Sequence, residues 1–344
     1  MATFPGSDLE HILTQASEDL RSLDGARIFL TGGTGFFGRW LVESWLHSKR
    51  QLGIRGELCL LVRSPASWAA YARSLPSLEG LRPLVGTQND FPFPDLPADL
   101  VIHGAVDHAD PRLTLERNVD GTRRVLTFAK ESGATRFLFM SSGAVYGPQP
   151  TDLLRIQEDH FGKVDPADPA QAYAEAKRAS ERLGLLLQEA GGPAFVSARG
   201  FAFHGPGLPL DHGYAIGNFL RDALGEGPIQ IQGDGTPRRS YLYAADLAVW
   251  LWALLARGRP GRAYNVGSSE EISILGLAET VRDMVAPGRE IQVAGQAKAG
   301  QPPLRYIPDT TRVQEDLGLQ PIIGLAEGIQ RTARWHREQE SSWV

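Results

Sequence analysis

Apolar positions fall in two rhythms along the chain. Leu9, Ile12, Leu13, Ala16 and Leu20 recur at helical spacing, which predicts an N-terminal helix over residues 1–24, and Ser7 with Glu10 reads as its capping box. Short apolar runs follow at Ile28 to Leu30, Leu58 to Val62, Leu84-Val85, Leu100 to His103, Phe137 to Met140 and Phe195 to Ala198, mostly separated by helix-length segments. Such runs suit strands buried on both faces, and their alternation with helices predicts an α/β fold with a doubly wound parallel sheet. After about residue 200 the texture changes to Gly- and Pro-rich loops broken by helices at about 214–225 and 245–256. This is expected to be a smaller α+β region covering the sheet end where open α/β folds bind ligands. Trp250 and Trp252 read as core on a buried helix, and residues 337–344 as a frayed tail.

Composition narrows the class. The chain has 344 residues at 42% apolar and 22% charged, enough for a large core and incompatible with disorder. No apolar run approaches the roughly 20 residues of a bilayer span, and the N-terminal stretch lacks a signal-peptide pattern, so a cytoplasmic protein without membrane contact is expected. Cys59 is a single cysteine, unable to form an internal disulfide or a Cys-based metal site, and it sits in an apolar run as buried filler. His103, His108, His204 and His212 are scattered without metal-ligand spacing, so no metal is expected. A net charge of −5 argues against nucleic-acid binding. Only five residues are lysine, which makes one inside a motif informative.

The segment Thr31-Gly32-Gly33-Thr34-Gly35-Phe36-Phe37-Gly38 lies between a predicted strand and a helical pattern carrying Leu41, Val42 and Trp45. Bare glycines let a pyrophosphate reach the backbone, and the helix N-terminus offers N–H groups and a positive dipole end. Gly32, Thr34, Gly35, Phe36, Phe37 and Gly38 are therefore candidate contacts of a nicotinamide dinucleotide. The second strand ends Leu61-Val62-Arg63-Ser64 with no carboxylate to repel a 2′-phosphate. Arg63 could hold such a phosphate, which tilts the expectation from NAD toward NADP, a solvated surface Arg being the alternative.

A second cluster, Ser141-Ser142-Gly143-Ala144-Val145-Tyr146-Gly147, follows the strand Phe137 to Met140. Further on, Tyr173 and Lys177 stand one helical turn apart, so their side chains share a face. An ammonium beside the phenol, with the positive nicotinamide ring, favours phenolate and lowers a pKa near ~10 toward working pH. Tyr173 is then the base for a substrate alcohol undergoing oxidation, and Ser142 hydrogen-bonds the same oxygen.

These motifs resemble the extended short-chain dehydrogenase/reductase family of nucleotide-sugar epimerases and dehydratases. The likeness runs from about Arg27 to Trp335 and includes His103-Gly104-Ala105, Asn118 to Thr122, Arg199 to Gly205, Gly233 to Arg239, Asp246, Tyr264 to Gly267, Arg305 and Asp309. It implies a Rossmann domain over 25–200, joined by about 240–267, and a substrate domain over 201–239 and 268–336. It also implies that His103, Ala105, Asn118 and Ser141 lie against a tightly bound NAD(P), with Asn118 bracing the catalytic region. Arg239 and Arg305 would clamp the pyrophosphate of a nucleotide-sugar. Asp107, His108, Gly143 and Asn218 would lie near the sugar, and Tyr146 would mostly pack. Homodimers through helix packing are a further implication.

Departures from the family pattern are equally informative. Dehydratases of this family usually carry Asp-Glu, and nucleotide-sugar decarboxylases a Glu, after the catalytic Ser or Thr; here those positions hold Gly143 and Ala144. Neither can move a proton, whereas dehydration across C5 and C6 needs an acid and a base. Small residues there resemble the 4-epimerases, so the expectation is an NDP-hexose 4-epimerase working through a 4-keto intermediate. A 4,6-dehydratase recruiting Asp107, His108 or Glu175, an NADPH-dependent 4-ketosugar reductase and an NAD(P)-sensing regulator are the alternatives. Gly86-Thr87 and Ala202 also depart from the family, at positions that touch adenine and the nucleotide-sugar.

Overall fold

The computed structural model describes residues 3–93, 97–107, 110–211, 213–298 and 300–341. From the N-terminus the elements are α1 Gly6–Ser22, β1 Arg27–Thr31, α2 Phe36–Leu52, β2 Glu57–Val62, α3 Pro65–Ala72, β3 Leu81–Val85, β4 Leu100–His103, α4 Thr114–Glu131 and β5 Arg136–Ser142. Then come α5 Ala172–Glu189, β6 Ala194–Gly200, β7 Phe203–His204, α6 Ala215–Leu224, β8 Ile229–Ile231, β9 Arg238–Arg239, β10 Leu242–Tyr243 and α7 Ala244–Arg257. The chain closes with β11 Ala263–Val266, β12 Ile272–Ser273, α8 Ile274–Val285, β13 Ile291–Val293, β14 Arg305–Tyr306, α9 Thr311–Leu317 and α10 Leu325–Ser341.

Seven strands form one sheet in the order β11-β6-β5-β4-β1-β2-β3, and every neighbouring pair is parallel. The order reverses between β1 and β4, which opens a crevice at their C-terminal ends, the place where ligands bind in such sheets. Helices cover both faces, as the two-sided burial of the strands requires. Phe29, Phe137, Phe139 and Phe195 pack with Val125 and Phe128 of α4 on one face. On the other, Ile28, Leu30 and Leu138 join Trp40 and Trp45 of α2 and Trp250 and Trp252 of α7. Beyond the sheet, α6, α8 and α10 enclose a separate cluster containing Phe219, Leu220, Leu277, Val281 and Ile329.

α1 buries Leu9, Ile12, Leu13, Ala16 and Leu20, as its periodicity requires, and lies across α2 and α7. The expected capping box does not form: Pro5 is the N-cap, without a side-chain cap, so the helix starts before Ser7 could cap it. Asp8 instead accepts from Tyr243 Oη at 2.6 Å and pairs with Arg331 of α10. His11 meets Asp246 of α7 at 2.7 Å. Two further expectations are corrected. The supposed tail is helix as far as Ser341, because α10 continues past Trp335, whose ring packs on Phe4 and whose Nε1 donates to Thr3 O at 3.1 Å. Cys59 is half-buried in β2 rather than fully enclosed. Among the described residues no helix is long and apolar enough to cross a membrane, and no cluster of side chains could hold a metal ion.

Candidate active site

A cleft of about 800 Å³ opens at the C-terminal ends of β1, β4 and β5. Its floor is the Gly-rich turn: Gly35 is the N-cap of α2, and Phe36, Phe37 and Gly38 form the helix's first turn. Two glycines there are sterically obligatory. Gly32 has φ 78° and a Cβ on it would stand 2.7 Å from Gly104 C, while one on Gly38 would stand 2.2 Å from Gly32 O. The bare turn and the N–H groups of a 17-residue helix with no acidic residue in its first turn fit a dinucleotide pyrophosphate. Thr34 is exposed on the turn outside the cleft lining. Arg63 is exposed at the end of β2, and the neighbouring Ser64 hydroxyl is occupied in capping α3.

Ser141 and Ser142 end β5, and Tyr173 and Lys177 sit in the first two turns of α5. Ser142, Tyr173 and Ser141 line the cleft, and the Ser142 hydroxyl accepts from Ala144 N–H at 3.1 Å. Lys177 lies behind them, its Nζ donating to Met140 O at 2.6 Å and standing 5.7 Å from the Tyr173 ring centroid. Burial pushes this ammonium down to about 7, with Glu181 opposing the shift. Burial also raises the Tyr173 phenol, opposed by the Ser142 hydrogen bond and assisted by Tyr214. The protein's own groups therefore hold Tyr173 protonated. The Lys177 ammonium is itself costly to charge in this buried setting.

Behind the trio is a network that sequence reading missed. Glu181, on the Lys177 face of α5, accepts from Ser141 Oγ at 2.6 Å and from Arg199 at 3.0 and 2.7 Å. It ties the helix to the ends of β5 and β6, and its i+4 spacing from Lys177 was the available signal. Arg199 also donates to Tyr146 Oη at 2.9 Å, and Tyr146 donates to Asn265 at 2.7 Å, which confines Tyr146 to packing.

Other expected site residues are placed variously. His103 is buried behind the cleft, its Nδ1 2.7 Å from Thr31 Oγ1 and its Nε2 3.2 Å from Thr122 Oγ1. Burial, helped by Lys177, lowers it to about 3 and keeps it neutral. Ala105 is tethered through its N–H to Thr31 Oγ1 at 3.0 Å, beside Gly32. Asn118 is buried and braces the loop after β4, bonding the N–H and C=O of Asp107 at 2.9 Å each. The Asp107 carboxylate pairs with Arg117 at 3.3 Å, outside the cleft lining. Asn218 lies on α6, also outside that lining. His108 and His212 lie outside the described residues.

The two arginines separate. β14 pairs in parallel with β9, matching Arg305 to Arg238 and Tyr306 to Arg239. Alternate strand residues face opposite sides. Arg239 and Tyr306 accordingly line the cleft, whereas Arg305 faces Glu271, 3.4 Å away, on the side of Arg238. Tyr306 was missed, although the alternation across Arg305-Tyr306 was legible. Its ring packs on Phe201, with centroids 4.6 Å apart. A Cβ at Gly143 would meet Tyr306 Oη at 2.6 Å and the Phe201 ring at 2.9 Å. Among the described residues, Arg239 is the one charged side chain lining the cleft, with no carboxylate, imidazole or thiol.

Comparison with known proteins agrees with this geometry. The profile of the NAD dependent epimerase/dehydratase family matches residues 28–267. UDP-glucuronic acid decarboxylase 1 of Arabidopsis thaliana is 30% identical over 316 residues, covering 89% of this chain and 68% of that protein. An epimerase structure from Methanothermobacter thermautotrophicus superposes with a TM-score of 0.79 at 23% identity, over 96% of this chain and 97% of that one. The dTDP-glucose 4,6-dehydratase DesIV of Streptomyces venezuelae, solved with NAD bound, gives 0.75 at 25% identity, over 92% and 98%.

Proposed function

Since the chain belongs to the NAD dependent epimerase/dehydratase family, we propose that it is an NDP-hexose 4-epimerase acting through a 4-keto sugar. The observation that carries this reading is that among the described residues the cleft is lined by no acid/base pair and is closed at position 143 by Tyr306 and Phe201. Dehydration across C5 and C6 requires one group to take the C5 proton and another to protonate the departing hydroxyl. Oxidation at C4 requires only one base. In this reading Tyr173 takes the proton of the C4 hydroxyl while Ser142 hydrogen-bonds the same oxygen. The dinucleotide, when bound, supplies a positive ring that favours ionised Tyr173 and a reversible two-electron acceptor for C4. Lys177 holds the end of β5 through Met140 O and keeps α5 against the sheet. Arg239 reaches the cleft as the cation for the sugar's pyrophosphate, a role suited to its guanidinium fork. In this reading the 4-keto sugar turns in the cleft before its other face is reduced.

A second reading is favoured by the resemblance to UDP-glucuronic acid decarboxylases. A uronate oxidised at C4 is a β-keto acid, which loses CO₂ with no protein base at C5, so the absent carboxylate does not oppose it.

For the cofactor, the family's name and the DesIV structure point to NAD. The exposed Arg63 and the lack of a carboxylate at the end of β2 are the features that favour NADP. A homodimer through α4 and α5 is consistent with exposed Leu115 and Leu186 on those helices, and sedimentation velocity tests it. The deciding experiment denatures the purified protein, identifies any released dinucleotide, and incubates the native protein with UDP-, dTDP-, GDP- and CDP-sugars in deuterated water without added cofactor. An isomer with no deuterium at C5 supports epimerisation. Loss of CO₂ selects the second reading, and loss of water or deuterium at C5 refutes the first.

A further inference from the structure

Phe4 precedes α1 and lies outside the residues matched by the family profile, which begins at residue 28. Its side chain is nonetheless buried in the core that α2 and α7 share with the sheet. Its N–H donates to Glu43 Oε2 at 2.7 Å, its ring stacks on Trp40 with centroids 4.0 Å apart and planes 12° apart, and the Arg39 guanidinium stands 4.8 Å from its centroid. The same ring lies against Gly207, where a Cβ would stand 2.9 Å from Phe4 Cε1 and 3.2 Å from Cζ. Gly207 has φ 83° and follows Pro206 in a turn closed by Leu208 N–H donating to Gly205 O at 3.1 Å. Proline before a left-handed glycine suits a type II turn. Trp40 Nε1 donates to Pro206 O at 3.1 Å, so Trp40 holds one residue of the turn and Phe4, stacked on Trp40, backs the next. Pro206 and Gly207 are outside the cleft lining, whereas Leu208 and Pro209 line it.

We propose that Phe4 is a positioning residue of the substrate cleft: it backs the Pro206-Gly207 turn and thereby fixes the wall formed by Leu208 and Pro209. A turn closed by its own backbone bond keeps its shape, but its place depends on what packs behind it. At the other end of this wall α6 supplies that packing, since a Cβ on Gly217 would stand 2.9 Å from Pro209 O. At the near end the packing comes from Phe4 and Trp40. Removing the Phe4 ring would leave space behind Gly207, into which the turn can fall back from the cleft. The proposal rests on the reading of the cleft as a nucleotide-sugar site only for the ligand whose KM it changes.

The test follows amide hydrogen exchange by mass spectrometry of peptides from the full-length protein. Phe4→Ala should speed exchange across residues 203–211 by about two- to tenfold, the worth of one aromatic stacking contact. Leu20→Ala deletes a buried side chain at the far end of α1 and should leave that peptide at its wild-type rate. Phe4→Leu keeps a buried apolar side chain without the stacked ring, and is expected to give a smaller change of the same kind should Phe4→Ala fail to fold. With whichever nucleotide-sugar turns over, the Phe4 variant should raise KM by about the same factor and leave kcat nearly unchanged, as loss of a binding wall requires. Wild-type exchange across 203–211 in the Phe4 variants, an equal acceleration in Leu20→Ala, or a fall in kcat at constant KM would overturn the proposal. Because the exchange measurement uses no substrate, a failure of every nucleotide-sugar to turn over would refute the proposed reaction and leave this test standing.

Discussion

Replacing Gly143 by alanine tests the packing on which the functional reading depends. The added Cβ would lie 2.6 Å from Tyr306 Oη and 2.9 Å from Phe201 Cε2 and Cζ, against the 3.4 Å at which ordinary contact begins. Both rings must therefore retreat by several tenths of an ångström. Phe201 has little freedom, since it packs on Tyr146, whose hydroxyl is held by Asn265 and Arg199. Tyr306 borders the cleft and gives first. Overpacking of a filled site costs about 1–3 kcal/mol, and a neighbour free to move places Gly143→Ala near 1 kcal/mol. The displaced phenol enters the substrate space, so turnover should fall more than stability does. Urea midpoints of wild type, Gly143→Ala, Tyr306→Phe and the double variant, measured at equal protein and saturating dinucleotide, give a double-mutant cycle. Deleting Oη removes the shorter clash, so the cycle should show a favourable coupling of about 0.5–1 kcal/mol. Unchanged stability in Gly143→Ala, or a coupling of zero, would refute the claim that Tyr306 and Phe201 close position 143.

Four further outcomes are expected. Tyr173→Phe should retain the dinucleotide and lose about 10²- to 10⁴-fold in kcat, measured with whichever nucleotide-sugar turns over. Glu181→Ala should cost about 3–5 kcal/mol in denaturant unfolding, because it leaves Arg199 charged, largely buried and unpaired. Arg239→Ala should weaken calorimetric binding of a nucleoside diphosphate by about tenfold to a hundredfold, the worth of a charge-assisted bond, while Arg305→Ala changes it little because Arg305 faces Glu271. His103 has a folded pKa of about 3 against 6.5 ordinarily, so between those values the unfolded chain binds a proton that the fold does not. Its contribution to stability is thus lost as pH falls below 6.5, and His103→Gln should make the acid limb of the stability profile shallower by up to about 1.4 kcal/mol per pH unit.

Much of the fold was legible along the chain. The six apolar runs all became strands of the central sheet: in the interior strands a continuous apolar run follows from burial on both faces, while the edge strand β3 is largely exposed. The Gly-rich turn, Ser142, Tyr173 and Lys177 were legible for a related reason: their spacing within one turn or one helix face is itself the geometry. The start of α1 was not, since Pro5 rather than Ser7 caps it. Nor was the length of α10, which depends on Trp335 reaching the far end of the chain at Thr3.

Sequence alone determined the α/β sheet, the dinucleotide turn, the Ser/Tyr/Lys set and the missing carboxylate at position 143, all expressed by neighbours within a few residues. The tertiary structure decided what stands where that carboxylate would be. Parallel pairing of β14 with β9 turned Tyr306 into the cleft beside Arg239 and Arg305 away from it, and Glu181 joined two strand ends to α5. Tyr306 is 163 residues beyond Gly143 in the numbering (306 minus 143). Their contact depends on strand pairing and on the orientation of one side chain, and local spacing carries neither.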